Sequence, residues 1–122
     1  MTVTSVATFT MRAGREVGAL KLIRAVERQA RAEQRGTLVY LAHRTLDAKG
    51  KPTRTLYFYE RYRNQAALRA HLASTSWQAV VAQWTRYFEG PSPTAAIHFF
   101  SVQRIAAFER AGAIPTVPRA RR

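Results

Sequence analysis

The stretch from Leu56 to Trp77, LYFYERYRNQAALRAHLASTSW, constrains the fold more than any other part of the 122-residue chain. Leu56, Phe58, Glu60 and Tyr62 alternate with Tyr57, Tyr59 and Arg61, the two-residue period of a strand rich in aromatics. Asn64 then offers a side-chain oxygen suited to the first turn of a helix. Along that helix Ala67, Leu68, His71 and Leu72 recur at the spacing of a buried stripe, so His71 is expected on the apolar face. Glu60 shares its strand face with Leu56 and Phe58. A carboxylate and an imidazole are thus aimed inward from consecutive elements. Such a pair reads either as a buried polar contact that satisfies itself or as a proton-transfer group working near neutral pH.

The rest of the chain supplies the surrounding elements. Thr2 to Arg12 alternates like a β-branched strand, and Ala13-Gly14 makes a turn. Arg15 to Gln34 reads as a helix with Ala19, Leu22, Ile23, Val26 and Ala30 on one stripe, and Gly36 stops it. Thr37 to Leu46 is a second strand, joined through the polar loop Asp47 to Pro52 to a third, Thr53 to Tyr62. The helix bearing His71 is expected to end near Ser74. Thr75 or Ser76 would cap another, with Trp77, Val80, Val81, Trp84, Tyr87 and Phe88 at helical spacing. Gly90-Pro91-Ser92-Pro93 breaks it, and Ala95 to Phe108 reads as a long fourth strand.

The order β-α-β-β-α-β predicts an α+β fold, a ferredoxin-like four-stranded antiparallel sheet with helices on one face. Both alternating sets of the third and fourth strands are rich in apolar residues, so the face without helices would be bare. An exposed apolar patch of that extent marks a partner surface, and a two-fold homodimer with facing sheets is the simplest closure. One domain is expected over residues 1–108, followed by a basic C-terminal tail over 109–122, frayed or partner-bound.

Composition excludes several classes. With no cysteine there are no disulfides and no thiolate chemistry. His43, His71 and His98 fall on three elements, no metal-ligand spacing occurs and no glycine-rich phosphate loop is present, so neither metal nor cofactor is expected. No apolar run approaches a membrane span and no signal pattern opens the chain, so a cytoplasmic location is the default expectation. The formal net charge is +13, and 17 of the 20 basic residues are Arg. They are scattered, not gathered in a stripe, which argues for a solvated surface over a nucleic-acid footprint.

A strand ending E-x-(W/Y), then A-x-x-x-H-x-x-(S/T) and an aromatic, resembles the antibiotic biosynthesis monooxygenase family of small quinol-oxygenase-like proteins. The slots are filled here by Glu60, Tyr62, Ala67, His71, Ser74 and Trp77. The resemblance implies a dimeric α+β barrel and cofactor-independent oxygenation of a small aromatic or quinol. That chemistry needs a base, an apolar slot and hydrogen bonds to a developing oxyanion. His71, oriented by Glu60, is the candidate base. Tyr59 and Tyr62 are candidate donors, and Trp77, Trp84 and Phe99 candidate walls for an aromatic ring.

Two departures bear on this. Thr75 and Ser76 stand where many members have Pro and His, so a second imidazole is missing. Haem-degrading relatives carry an Asn and a His where this chain has Ala7 and Val81, which argues against haem degradation. An isomerase of a small anionic metabolite and a non-catalytic small-ligand binding dimer remain as alternatives on the same scaffold.

Overall fold

The third strand follows from alternation, and the first helix from a single apolar stripe. The computed structural model describes residues 1–113. Strand β1 spans Val3–Thr10, helix α1 Glu16–Glu33, β2 Thr37–Leu46, β3 Pro52–Tyr62, α2 Gln65–Leu72, α3 Thr75–Ala82, α4 Trp84–Tyr87 and β4 Ile97–Phe100, which a 3-10 turn at Thr94–Ala96 precedes. The strands lie in the order β2-β3-β1-β4, antiparallel throughout. This is the ferredoxin-like α+β arrangement that the element order predicts.

Helix α1 buries Ala19, Ile23, Val26 and Ala30, the expected stripe less Leu22, which is half-buried. Ala19, Ile23 and Val26 pack on Ala7, Phe9, Leu56 and Phe58 of the sheet and on Trp77, Val80, Trp84 and Phe88 of the helical segment. The β2–β3 hairpin closes on Asp47, whose Oδ1 accepts from the backbone N–H groups of Lys49 and Lys51, while Gly50 takes a positive φ of 79°.

Register decides what shares a face. One row across the sheet joins Tyr40, Glu60, Ser5 and Phe99, and the next joins Ala42, Phe58, Ala7 and Ile97. Both rows lie under the helices. The opposite face carries Val6, Leu41, Tyr57, Tyr59 and Phe100, none of them buried and the last named on β4 42% exposed. Among the described residues no helix is long and apolar enough to cross a membrane.

Two expectations are corrected. The cap of α3 is Ser74, whose hydroxyl accepts from Trp77 N–H at 3.3 Å, not Thr75 or Ser76. Strand β4 stops at Phe100 although the alternation continues to Phe108. Its partner runs out: Phe100 pairs with Thr4, and β1 begins one residue earlier. Residues 101–113 hold no strand, and Ile105 and Phe108 are 93% and 79% exposed. Most of the expected tail, from residue 114 on, lies outside the described residues.

Candidate functional site

A narrow cleft lies between the sheet and the helices, its enclosed space only about 10 Å³, enough for about one water molecule. Ser5, Phe58, Glu60 and Tyr62 form its floor, and His71, Leu72 and Trp77 close it from above. Phe99 is the one exposed residue of the lining, so the cleft opens toward the β4 edge.

His71 is positioned by the local sequence of α2. Asn64 Oδ1 accepts from Ala67 N–H at 2.9 Å, which starts the helix in register. Two turns later His71 stands on the same stripe as Leu68 and is 3% exposed. Its ring lies against Tyr62, Trp77 and Tyr40, with centroids 5.3, 6.1 and 6.2 Å away. Both ring nitrogens are accounted for. Nε2 faces Glu60 Oε1 at 3.5 Å, within reach but longer than a formed hydrogen bond, and Nδ1 lies 2.7 Å from Gln34 Oε1. Tyr62 donates its phenolic proton to the same Glu60 oxygen.

Burial dominates the electrostatics. It pushes the Glu60 carboxyl from 4.5 up to about 7, against a smaller downward pull from the Tyr62 hydrogen bond. Burial also lowers His71 from 6.5 to about 4. Tyr62 is held far above the ordinary phenol range, by burial and then by the neighbouring Glu60, and Tyr40 shifts the same way for the same reasons. Between about pH 4 and 7 the pair therefore holds one proton, on Glu60, with the imidazole neutral. Above that range the carboxylate is an anion in an apolar slot, beside a neutral imidazole. A group poised in this way can take a proton from a hydroxyl brought within reach.

The cleft brings together His71, Glu60, Tyr62, Trp77 and Phe99 from the sequence-derived set, and leaves two out. Tyr59 stands on the opposite sheet face, level with Val6 and Leu41, because the period of two sends neighbours of Glu60 outward. Trp84 is core: it stacks on Phe88 at 4.6 Å and meets Phe9 edge-on at 4.8 Å, and its indole N–H donates to Gly90 O at 3.0 Å. Glu60 faces His71 on the Nε2 side, and Gln34 faces it on the Nδ1 side. Gln34, Tyr40 and Ser5 carry no motif. Only the register of β1 and β2 and the end of α1 place them here.

The architecture recurs among solved structures. Rv0793 of Mycobacterium tuberculosis is 24% identical with a TM-score of 0.71, over 88% of this chain and 100% of that one. PA3566 of Pseudomonas aeruginosa is 21% identical at a TM-score of 0.67, over 86% and 95% of the two chains. A Caulobacter crescentus protein, provisionally described as an antibiotic biosynthesis monooxygenase, is 19% identical at 0.69, over 84% and 91%. These likenesses show the fold. No curated protein matches the sequence. The model of one family does, over residues 2–83, which takes in β1 through α3 with Glu60, Tyr62 and His71. The chain belongs to the antibiotic biosynthesis monooxygenase family.

Proposed function

We propose that the protein is a cofactor-independent monooxygenase of a small, electron-rich phenol or quinol. The observation that carries this reading is the buried Glu60–His71 pair, set in a slot whose other walls are Phe58, Trp77, Leu72, Ile97 and Phe99. A phenol entering the slot gives its proton to the pair. The resulting anion is oxidised by dioxygen, one oxygen atom bonding to the ring and the other leaving as water, so that the phenol becomes a quinone. Tyr62, which donates its phenolic proton to Glu60, steadies the carboxyl group that shares in taking the substrate's proton. Among the described residues lining the cleft there is no arginine or lysine, which favours a neutral aromatic over the anionic substrate of an isomerase.

The functional unit in this reading is a homodimer joined through the sheet face that carries Tyr57 and Phe100, 41% and 42% exposed in the single chain. The test of the activity is oxygen uptake with a panel of phenols and quinols, for the wild type and for His71→Ala. Uptake that His71→Ala abolishes while remaining a folded dimer supports the reading. Full uptake in a folded His71→Ala protein removes His71 from the reaction. Rearrangement of a substrate without oxygen uptake, or binding without turnover, replaces the reading by an isomerase or a binding protein.

A further inference from the structure

We propose that Gln34 is a positioning residue that selects the tautomer of His71, holding the proton on Nδ1 and leaving Nε2 bare toward Glu60. Gln34 Oε1 is within hydrogen-bond reach of two groups, His71 Nδ1 at 2.7 Å and the Thr37 hydroxyl at 3.3 Å. An amide oxygen only accepts, so both neighbours must donate to it. A neutral imidazole has one N–H. If that proton points at Gln34, Nε2 is the lone pair. With the carbonyl turned to His71, Gln34 Nε2 is buried without a hydrogen-bond partner among the described residues. The opposite tautomer needs the amide turned over, with its NH2 group facing the imidazole and an N–H of His71 directed at Glu60, so the ring spectrum decides between the two.

The backbone holds Gln34 in place. It is the C-cap of α1, with its N–H bonded to Ala30 O at 3.0 Å and its carbonyl accepting from Thr37 N–H at 3.0 Å. The turn that follows is pressed against α2, the helix of His71. Gly36 O accepts from Arg63 N–H at 2.8 Å, and a Cβ on Gly36 would lie 2.5 Å from the Ala67 Cβ. The end of α1 and the start of α2 therefore approach as closely as a bare glycine allows.

The inference deepens the proposed oxygenase reading by fixing where a substrate hydroxyl must arrive. It has to approach on the Nε2 side, between His71, Glu60 and Tyr62, with its ring directed along Trp77 toward Phe99. A hydroxyl arriving on the Nδ1 side would meet a group that is already a donor to Gln34.

The test is long-range 1H–15N NMR of the His71 ring in 15N-labelled protein, between about pH 4 and 7, where the imidazole is neutral and Glu60 keeps its proton. The expected spectrum has a protonated Nδ1 and a bare Nε2. Gln34→Leu, which removes the acceptor, should move the proton to Nε2 in most molecules. Gln34→Glu, which can only accept, should keep it on Nδ1 and raise the His71 pKa. A wild-type ring protonated on Nε2 overturns the proposal, as does an unchanged ring in folded Gln34→Leu. Should Gln34→Leu not fold, the wild type and Gln34→Glu decide, since Nε2–H in either one is fatal. No substrate is involved, so a failed oxygenase assay leaves this result intact, and a failed tautomer assignment leaves the oxygenase assay intact.

Discussion

Nε2 of His71 lies 3.5 Å from Oε1 of Glu60, and burial moves the two groups in opposite directions, the carboxyl up to about 7 and the imidazole down to about 4. Each is driven toward its neutral form by the same loss of water. The pair has a signature in stability that neither residue has alone.

Glu60 binds its proton more tightly folded, at about 7 against 4.5, so its contribution is present below 4.5 and lost as the pH rises through 7. His71 binds its proton less tightly folded, at about 4 against 6.5, so its contribution is present above 6.5 and lost as the pH falls through 4. Across the shared window the slopes oppose, and the wild type should be nearly flat in this respect. Glu60→Gln should leave stability rising from pH 4 to 6.5, and His71→Gln should leave it falling from pH 4.5 to 7. Each slope approaches about 1.4 kcal/mol per pH unit, the value of one proton. Urea melts at several pH values measure this. Parallel profiles in the two variants would refute the opposed shifts.

The hydrogen bond from Tyr62 pulls the Glu60 carboxyl down, against the larger effect of burial. Tyr62→Phe should therefore raise the Glu60 pKa further above about 7, followed through the 13C shift of its carboxyl. It should also cost about 1–3 kcal/mol in a chemical melt, the range for a buried bond to an ionisable group. If oxygen uptake depends on ionised Glu60, its pH profile should move to higher pH by the same amount. A carboxyl that titrates unchanged would show that Tyr62 does not hold it.

Gly36 faces Ala67 so closely that a methyl group must displace the turn or the helix. Gly36→Ala should destabilise by about 1–3 kcal/mol, as overpacking does elsewhere. It should also weaken the Gln34–His71 bond. Tolerance of the methyl group, with an unchanged Tm and an unchanged His71 ring spectrum, would mean the contact carries no positional constraint.

Dimerisation through the bare sheet face is checked by light scattering, where the wild type should give twice 13.8 kDa. Tyr57 projects from that face and is 41% exposed in the single chain, so a charge there has little cost to folding. Tyr57→Asp should then scatter as 13.8 kDa while keeping its circular dichroism. A wild type that is monomeric at micromolar concentration removes the barrel from the proposal.

Local periodicity was enough to determine the order of elements and to send Glu60 and His71 to the same interior, because a side chain's face depends on its place in its own strand or helix. Asn64 as a cap and the stripe of α1 were legible for the same reason. What the tertiary structure decided is everything that depends on a neighbour far along the chain. Gln34 meets His71 only because α1 ends against the start of α2, a contact between residues that share no pattern. Tyr59 and Trp84 look like site residues by composition, yet the pleat turns one away and Phe9 and Phe88 enclose the other. The alternation from Ala95 to Phe108 favours an extended strand, but a strand needs a hydrogen-bonding partner, and β1 offers none beyond Thr4 and Val3. Side-chain period is a local property, whereas pairing, packing distance and desolvation belong to the assembled fold.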